Sequence, residues 1–257
     1  MTSGAADRLA WRVEETCFNA FPSLAQVYLG GWLLRFSPGG PRRAASSINP
    51  LRPDCDTRPE LMDAAAALYR RRGMPALFRL PSFVVPEVEE SLAARGYGCE
   101  GESCVIYGDI GALAAASDEA VRLSRSPSVG WFAAMASLQR RGAEQSAVYR
   151  CILRAIAVPV AFAELRVGSE PAALAYGIVH DRLLCYESVI TNRHFRRQGL
   201  ARRVIAALAA WGRDNGAAAA CLQVEADNAP ARALYYGFGL TNELYRYHYR
   251  RAPAGRS

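Results

Sequence analysis

The amino-acid sequence predicts a protein of the α/β (α+β) class, in which helices flank a mixed, mostly antiparallel sheet. Three apolar, strand-like runs separated by turn residues predict an antiparallel meander in the second half of the chain. Helical and strand patterns alternate after the meander. The halves also end alike, with SLAARGYG before CVIYGDI and ALYYGFGL before LYRYHYR, so two similar units are expected. We place their boundary between residues 1–126 and 127–257, at the polar linker SRSPS.

The first half opens with a helical pattern. A strand pattern follows the paired glycines of GGWLLRFS, and SPGGP after it is typical of a turn. Thr57 and Pro59 are start signals for the next helix. The predicted elements of this half are a helix at 7–20, a strand at 30–37, a turn at 37–41, a helix at 60–72, a strand at 76–80, a helix at 86–96 and a strand at 104–110.

The clearest pattern of the second half is the helix that follows RRQGLARR. Its apolar residues recur at steps of three and four, and Asn215 with Gly216 is a typical helix end. The predicted elements of this half are a helix at 130–141, strands at 157–167, 171–180 and 182–191, a helix at 199–216, a strand at 219–226, a short helix from residue 228 and a strand at 243–250.

The formal net charge is +7, and because the chain contains no lysine, all 31 basic residues are arginines. Such a charge suits nucleic acid, a membrane surface or a small polyphosphate ligand. The arginine clusters at 42–43, 70–72 and 250–251 lie far apart in the sequence and lack interleaved aromatic residues, which indicates solvated surface. No run approaches the roughly 20 apolar residues of a membrane span. We therefore expect neither nucleic acid nor a membrane as the partner.

The seven cysteines form no CxxC pair, and several lie in apolar runs. This pattern favours buried free thiols in a reducing cytoplasm over a disulfide framework or a zinc site. The three histidines are too scattered for a metal-ligand pattern, and the first 20 residues show no signal peptide. We expect a cytoplasmic protein without a bound metal.

The stretch RRQGLA, residues 196–201, lies between a strand pattern and a helix pattern. At such a junction the first N–H groups of the helix have no helical partners, the helix dipole is positive, and Gly199 leaves room for an anion. The arrangement favours a pyrophosphate. By contrast, the GxGxxG match at 96–101 follows a helix and precedes a strand, which reverses the order of a dinucleotide-binding loop.

RRQGLA resembles the [Q/R]xxGx[G/A] motif of the GNAT N-acetyltransferase superfamily, with matches at Arg196, Gly199 and Ala201. ESVITNRHF before it is similar to the superfamily's fourth strand and following loop, and QVEADNAPARALYYGFGL to the next strand and helix. The resemblance is specific over residues 183–250, and the first half resembles a degenerate copy of a tandem member. It implies the acyl-CoA N-acyltransferase fold, with an N-acetyltransferase in residues 127–257.

The resemblance also implies that acetyl-CoA is the cosubstrate and lies between the fourth and fifth strands. The pantetheine is expected on the backbone of the fourth strand, and the pyrophosphate on the amides of the loop. Asn228 matches an asparagine that caps the next helix and contacts the cofactor, although a capping role alone explains it equally well. The expected cofactor-binding residues are Val189, Ile190, Thr191, Arg196, Arg197, Gln198, Gly199, Leu200, Ala201, Arg202 and Asn228.

Transfer to an amine makes two further demands. A primary amine with a pKa near 10 is mostly protonated at pH 7, so attack on a thioester needs a base, and Glu187 and Glu225 are the nearest carboxylates. Strand alternation predicts that Glu187, which we prefer, shares a side with Val189 and Thr191. Glu225 and a water-mediated base remain open. Tyr235 matches the superfamily's acid for the leaving thiolate, and its alternative role is as one more aromatic residue of the core.

Other functions stay open from the sequence alone. A non-catalytic acyl-CoA sensor would keep the cofactor loop without turnover, and an arginine-rich nucleic-acid-binding protein is less favoured. A nucleophilic hydrolase is disfavoured because no GxSxG motif occurs. The expected acceptor is a small-molecule or peptide amine, which no residue identifies. The oligomeric state and the role of the first half also stay open.

Overall fold

The computed structural model describes residues 3–40, 43–52, 55–84, 86–111 and 118–253. Within these ranges the strands form one mixed, eleven-stranded sheet, and helices pack on it. The predicted fold class is therefore confirmed. No helix in these ranges is long and apolar enough to cross a membrane.

The sheet follows the strand order β1-β2-β3-β4-β11-β5-β10-β9-β8-β7-β6, in which the strands are numbered along the chain. The strands are β1 (Ala25–Leu29), β2 (Trp32–Phe36), β3 (Ile48–Pro50), β4 (Leu77–Pro81), β5 (Gly98–Asp109), β6 (Arg122–Ser124), β7 (Val160–Val167), β8 (Glu170–His180), β9 (Leu183–Thr191), β10 (Ala219–Glu225) and β11 (Asn242–Arg251). The helices are α1 (Ser3–Ala20), α2 (Pro59–Arg70), α3 (Pro86–Ala94), α4 (Val129–Leu138), α5 (Ala143–Arg154), α6 (Leu200–Asp214) and α7 (Ala229–Tyr236).

Each half contains two parallel neighbouring strands that are joined by a helix. In the first half β3 and β4 pair across α2, and in the second half β9 and β10 pair across α6. A further helix and a long strand follow in each half, α3 and β5 in the first, α7 and β11 in the second. This shared order accounts for the similar ends that the sequence shows.

The two long strands β5 and β11 are exchanged between the halves. β5 lies between β10 and β11, and β11 lies between β5 and β4, with antiparallel pairing throughout. The long strands β5 and β11 are therefore each inserted into the sheet of the other half. The boundary between residues 126 and 127 stays a prediction, and the sheet contains strands from both sides of it.

Helices cover the two faces of the second half's sheet with separate cores. On one face, α1, α4 and α5 pack on β8 and β9, although α1 comes from the opposite end of the sequence. On the other face, α6 buries Val204, Ile205 and Leu208 together with residues of α7, as the spacing of apolar residues predicts. We call these the α1 face and the α6 face. A third core around Trp32 and Tyr69 belongs to the first half.

Several element predictions need correction, and the causes are local. The predicted strand at 30–37 is the second arm of a hairpin, because Gly30 and Gly31 form a turn with φ of 56° and 87° and β1 precedes them. The predicted helix at 130–141 ends at Leu138, and α5 after Gly142 is a separate helix that the sequence patterns did not indicate. β5 begins at 98 rather than 104, and the short strands β3 and β6 are additional. Residues 41 and 42, of the predicted turn and arginine cluster, lie outside the described residues.

A buried ion pair joins α1 to β4, and a hydrogen bond joins the same carboxylate to the exchanged strand β11. Arg79 on β4 donates to both carboxylate oxygens of Glu14 on α1, one at 2.8 Å, and both side chains are almost completely buried. The Tyr245 hydroxyl on β11 donates to the same carboxylate. Burial and the Glu14 charge raise the pKa of Tyr245, so this hydroxyl keeps its proton. The Arg79 guanidinium also lies 3.6 Å from the ring centroid of Tyr247.

We predict that Glu14→Ala lowers the free energy of unfolding by about 3–5 kcal/mol, because it leaves the Arg79 charge buried without its carboxylate. The matched control is Asp63→Ala, which removes the exposed partner of Arg95 and should cost about 1 kcal/mol or less. Urea unfolding monitored by circular dichroism measures both values. Equal losses in the two variants would show that the buried pair contributes no more than a surface pair.

Candidate active site

The parallel strands β9 and β10 pair over only three residues and then separate. Residues 183–185 pair with 219–221, whereas β9 continues to Thr191 and β10 to Glu225. A cavity of about 690 Å³ is lined by both strands beyond this point. Its lining also includes residues from the first half, so the gap between β9 and β10 opens onto both halves.

A bulge in β9 changes the direction of its side chains at the gap. Ser188 has a φ of 53°, and the register with β8 shifts there, so that β9 holds one extra residue. Glu187 lines a small cavity with residues of α1, and Ser188 accepts a hydrogen bond from the Tyr149 hydroxyl of α5 at 2.9 Å. Val189 packs in the α6-face core. The prediction that Glu187 and Val189 share a side is therefore wrong, because the bulge interrupts the alternation.

The loop between β9 and α6 has backbone geometry suited to an anion. Arg197 and Gly199 have φ of 61° and 75°, and glycine adopts this left-handed conformation without strain. A Cβ on Gly199 would meet no atom within 4 Å, so the space beside it is open. Within the described residues, the first turn of α6 contains no acidic side chain that would repel an anion. The first N–H groups of the helix also have no partners within it.

The two arginines that follow in α6 are engaged with the protein rather than free in solvent. Arg202 donates to the Gly237 carbonyl at 3.3 Å and lies 4.2 Å from the ring centroid of Phe238. Arg203 pairs with Asp118, which lowers the pKa of that carboxyl group. Each arginine therefore joins α6 to a neighbouring segment, and Arg202 stays exposed beside the loop.

Asn228 is the N-cap of α7. Its Oδ1 atom accepts a hydrogen bond from the Ala231 N–H at 3.2 Å, so the capping role is observed. Asn228 and Val189 also line the cavity, whereas Ile190, Thr191 and residues 196–202 lie beyond its lining. The predicted cofactor residues thus form two groups, one at the gap and one at the start of α6.

The predicted acid and base groups lie on opposite faces of the sheet. Tyr235 is 6% exposed and belongs to the α6-face core, next to Tyr186. On the α1 face, Glu187 is 7% exposed and lies near Gln223 of β10. Glu225 follows two residues later in β10, so it lies on the same face as Gln223, and it is exposed. All three predicted catalytic residues line the same cavity.

Sequence reasoning missed the residues that the first half and β11 add to this cavity. Arg43, Ser103, Tyr247, Tyr249 and Arg251 line it, and only the alternation of tyrosines in the terminal strand hinted at a shared face. Residues 250–251, which the sequence indicates as solvated surface, are half-buried and form ion pairs. Arg250 pairs with Glu89 and Arg251 with Glu100.

The cysteines form no disulfide, but three of them meet at the closed end of the gap. The sulfur atoms of Cys17, Cys185 and Cys221 lie within 4.8 Å of one another and are buried. Spacing in the sequence did not indicate this cluster, which offers three ligand atoms where a structural zinc site has four. Cys99 and Cys151 are exposed, so the prediction of buried thiols holds for only part of the set.

Comparisons with known proteins agree with this geometry. The family model described as "Probable histone acetyltransferase Rv0428c C-terminal" matches residues 11–250. The uncharacterized N-acetyltransferase YobR of Bacillus subtilis (strain 168) is 23% identical over 244 residues, which cover 93% of this chain and 97% of the relative. A GCN5-related N-acetyltransferase from Kribbella flavida has a TM-score of 0.68 at 16% identity, covering 97% and 96% of the two chains. A tandem GNAT protein from the clavulanic acid biosynthesis pathway has a TM-score of 0.65 at 13% identity, covering 92% and 86%.

The separated parallel strands, the glycine loop before α6 and these similarities define an acetyltransferase of the GNAT type. The chain belongs to the GNAT superfamily, and within it to the family described as "Probable histone acetyltransferase Rv0428c C-terminal".

We predict that Asn228→Ala lowers the free energy of unfolding by about 1 kcal/mol, because the Ala231 N–H loses its capping oxygen. Asn228→Ser supplies another capping oxygen and should change stability by a few tenths of a kcal/mol. Chemical denaturation of both variants provides the measurement. An alanine variant as stable as the parent would show that the cap does not stabilise α7.

Proposed function

We propose that the protein transfers the acetyl group of acetyl-CoA directly to a primary amine of a small-molecule or peptide acceptor. The observation that carries the proposal is the cavity at the gap between β9 and β10, with carboxylates on the α1 face and a buried tyrosine on the α6 face. The direct transfer uses no metal ion and no covalent enzyme intermediate. The proposal also includes a cytoplasmic location, with no nucleic acid or membrane as partner.

On the cofactor side, the pantetheine of acetyl-CoA lies along Val189, Ile190 and Thr191, where β9 has left its neighbour and its backbone groups need partners. The pyrophosphate lies at the open space beside Gly199 and binds the amides of residues 197–202. Arg196 adds a positive charge beside the loop. Asn228 contacts the cofactor arm in addition to capping α7.

On the acceptor side, a carboxylate removes the proton of the attacking ammonium group. Glu187 is the preferred base because it lies at the gap on the face opposite Tyr235, and Glu225 is the second candidate. A base that acts through a water molecule is the third possibility. General-base assistance of this kind contributes roughly 10²- to 10⁴-fold to a rate.

The bond changes balance in a single transfer. The amine nitrogen forms a bond to the acetyl carbon, the carbon–sulfur bond of the thioester breaks, and the ammonium proton passes to the base. An N–H of the bulged segment at Ser188 stabilises the negative charge on the carbonyl oxygen. The Tyr235 hydroxyl then donates its proton to the leaving thiolate, and it is reprotonated as the nitrogen of the new amide loses its second proton.

We predict that Gly199→Ala weakens acetyl-CoA binding at least about tenfold, because a Cβ would strain the backbone and enter the space assigned to the pyrophosphate. Isothermal titration calorimetry of the parent and the variant measures the change. Gly216→Ala is the matched control, since Gly216 lies at the opposite end of α6 with φ of 89° and an equally open Cβ position.

The control variant should lose comparable stability and keep its affinity. Equal losses of affinity in both variants would show that backbone strain alone weakens binding. If the parent itself does not bind acetyl-CoA, the proposed function is wrong.

We also predict that Tyr235→Phe and Glu187→Gln lower kcat by about 10²- to 10⁴-fold while acetyl-CoA affinity stays unchanged. Release of CoA with a panel of amines measures turnover. The matched controls are Tyr236→Phe, which changes the neighbouring tyrosine, and Glu225→Gln, which changes the second carboxylate of the cavity. A larger loss in Glu225→Gln than in Glu187→Gln would assign the base to Glu225. A parent protein that binds acetyl-CoA and acetylates no amine would be a sensor.

A further inference from the structure

Two arginines stand together at the end of the cavity that the first half and β11 form. Arg251 donates from Nε and Nη2 to the two carboxylate oxygens of Glu100, at 2.9 and 2.7 Å, and Arg43 donates to the same carboxylate at 3.4 Å. Hydrogen bonds from Arg251, together with the Arg43 charge, hold the pKa of Glu100 below its usual value, so the carboxylate stays ionised. Two guanidinium groups share one carboxylate, which leaves the cluster with one net positive charge.

The position of Arg43 is determined by the residues around it. Its guanidinium group lies 5.0 Å from the ring centroid of Tyr249 and directly against Gly101, where a Cβ would overlap it. Gly101 has a φ of 64°, a left-handed conformation that favours glycine. Glycine is therefore required here both by the backbone and by the space that the guanidinium group occupies. Arg43 and Arg251 each keep 39% of the side chain exposed, and both line the cavity. The pair is held in place and remains accessible to a ligand.

The same cavity also contains negative charge. Glu187 and Glu225 line it, and Gln139 contributes a buried Oε1 atom that has no hydrogen-bond partner among the described residues. Glu225 is in register with Ser103 on β5, and Gly101 lies two residues farther along that strand. Strand geometry therefore separates the Cα atoms of Glu225 and Gly101 by roughly 8 Å. Carboxylates and guanidinium groups in one cavity, with this separation between them, complement an acceptor that carries both charges.

We infer that the acceptor carries a carboxylate group in addition to its amine, and that Arg43 and Arg251 bind this carboxylate while the amine faces Glu187 and Glu225. The inference rests on the proposed function, because it concerns the acceptor of the same transfer. A guanidinium group binds a carboxylate through two parallel N–H donors, which fixes orientation as well as charge. A polyamine would instead place a second ammonium group against the two arginines, where like charges repel.

The test compares amino acids of increasing chain length, from glycine to 6-aminohexanoate, each with its own carboxamide. A carboxamide has nearly the same shape as the carboxylate and lacks its charge. We expect at least one carboxylate to have a kcat/KM about tenfold or more above that of its carboxamide, since hydrogen bonds between charged groups are worth this much. The double variant Arg43→Gln, Arg251→Gln should reduce this ratio to within about threefold by raising KM for the carboxylate.

Two further variants separate binding from structure. Arg95→Gln removes an arginine of the first half that pairs with Asp63 outside this cavity, and it should leave the ratio unchanged. Arg251→Lys keeps the charge and loses the paired donors, so it should give an intermediate ratio. Calorimetric affinity for acetyl-CoA should be the same in the parent and all variants.

Several outcomes would overturn the inference and leave the proposed function intact. These are equal use of carboxylates and carboxamides, a preference for a polyamine, or a preference for a lysine-containing peptide with blocked termini and no acidic residue. An equal loss with every amine in the double variant would likewise show that the two arginines only support the structure. Acetyl-CoA binding without turnover of any carboxylated amine would also contradict it. A parent protein that neither binds acetyl-CoA nor acetylates any amine would instead contradict the proposed function.

Discussion

The antiparallel pairing of β5 with β11 is the contact on which the rest of the structure depends. It joins strands that are separated in sequence by most of the second half, and it places Ser103 of β5 between Tyr247 of β11 and Glu225 of β10. β11 lies between two strands of the first half, and β5 lies between two strands of the second half. Neither half could therefore keep its present strand order without the other half. The same exchange brings Tyr249 and Arg251 to the edge of the cavity. A cavity that opens onto both halves is therefore a direct result of the strand order.

The gap between β9 and β10 has a comparably simple cause. Parallel neighbours continue to pair only while their registers agree, and the extra residue at Ser188 changes the direction of β9 just beyond the last paired residue, Cys185. Strand edges that face the gap present N–H and C=O groups, which need partners when they are buried. An extended ligand with amide groups satisfies such edges as another strand would. This is the physical reason why the gap suits a pantetheine arm in our proposal.

The parts of the site that the sequence predicted are those whose signals are local. The helix after Gly199 follows from the spacing of Val204, Ile205 and Leu208, and the cap at Asn228 follows from a side chain that acts three residues away. The bulge at Ser188 was missed because a bulge depends on the partner strand as well as on its own residues.

The arginines of the cavity were missed from the sequence for a different reason. Arg43 reaches it only because Gly101 leaves space and because β11 brings Tyr249 alongside. Nothing within a few residues of Arg43 contains this information. Likewise α1 reaches the second half through contacts with β8, β9 and β10 and through the hydrogen bond from Tyr245 to Glu14, which no local pattern describes.

The first half repeats the strand–helix–strand unit, but the protein itself fills the position that an anion would take. At the start of α2 the Asp56 carboxylate accepts a hydrogen bond from the Arg58 N–H at 3.0 Å, and hydrogen bonds from Arg58 lower the pKa of Asp56, so it is charged. Pro59, at the first turn, supplies no N–H at all. A phosphate there would meet a fixed negative charge, whereas the space beside Gly199 is open. The described residues at the start of α2 therefore offer no comparable anion site. This half contributes to the other half instead through Arg79, which pairs with the α1 helix that packs on β8 and β9, and through Arg43 at the cavity.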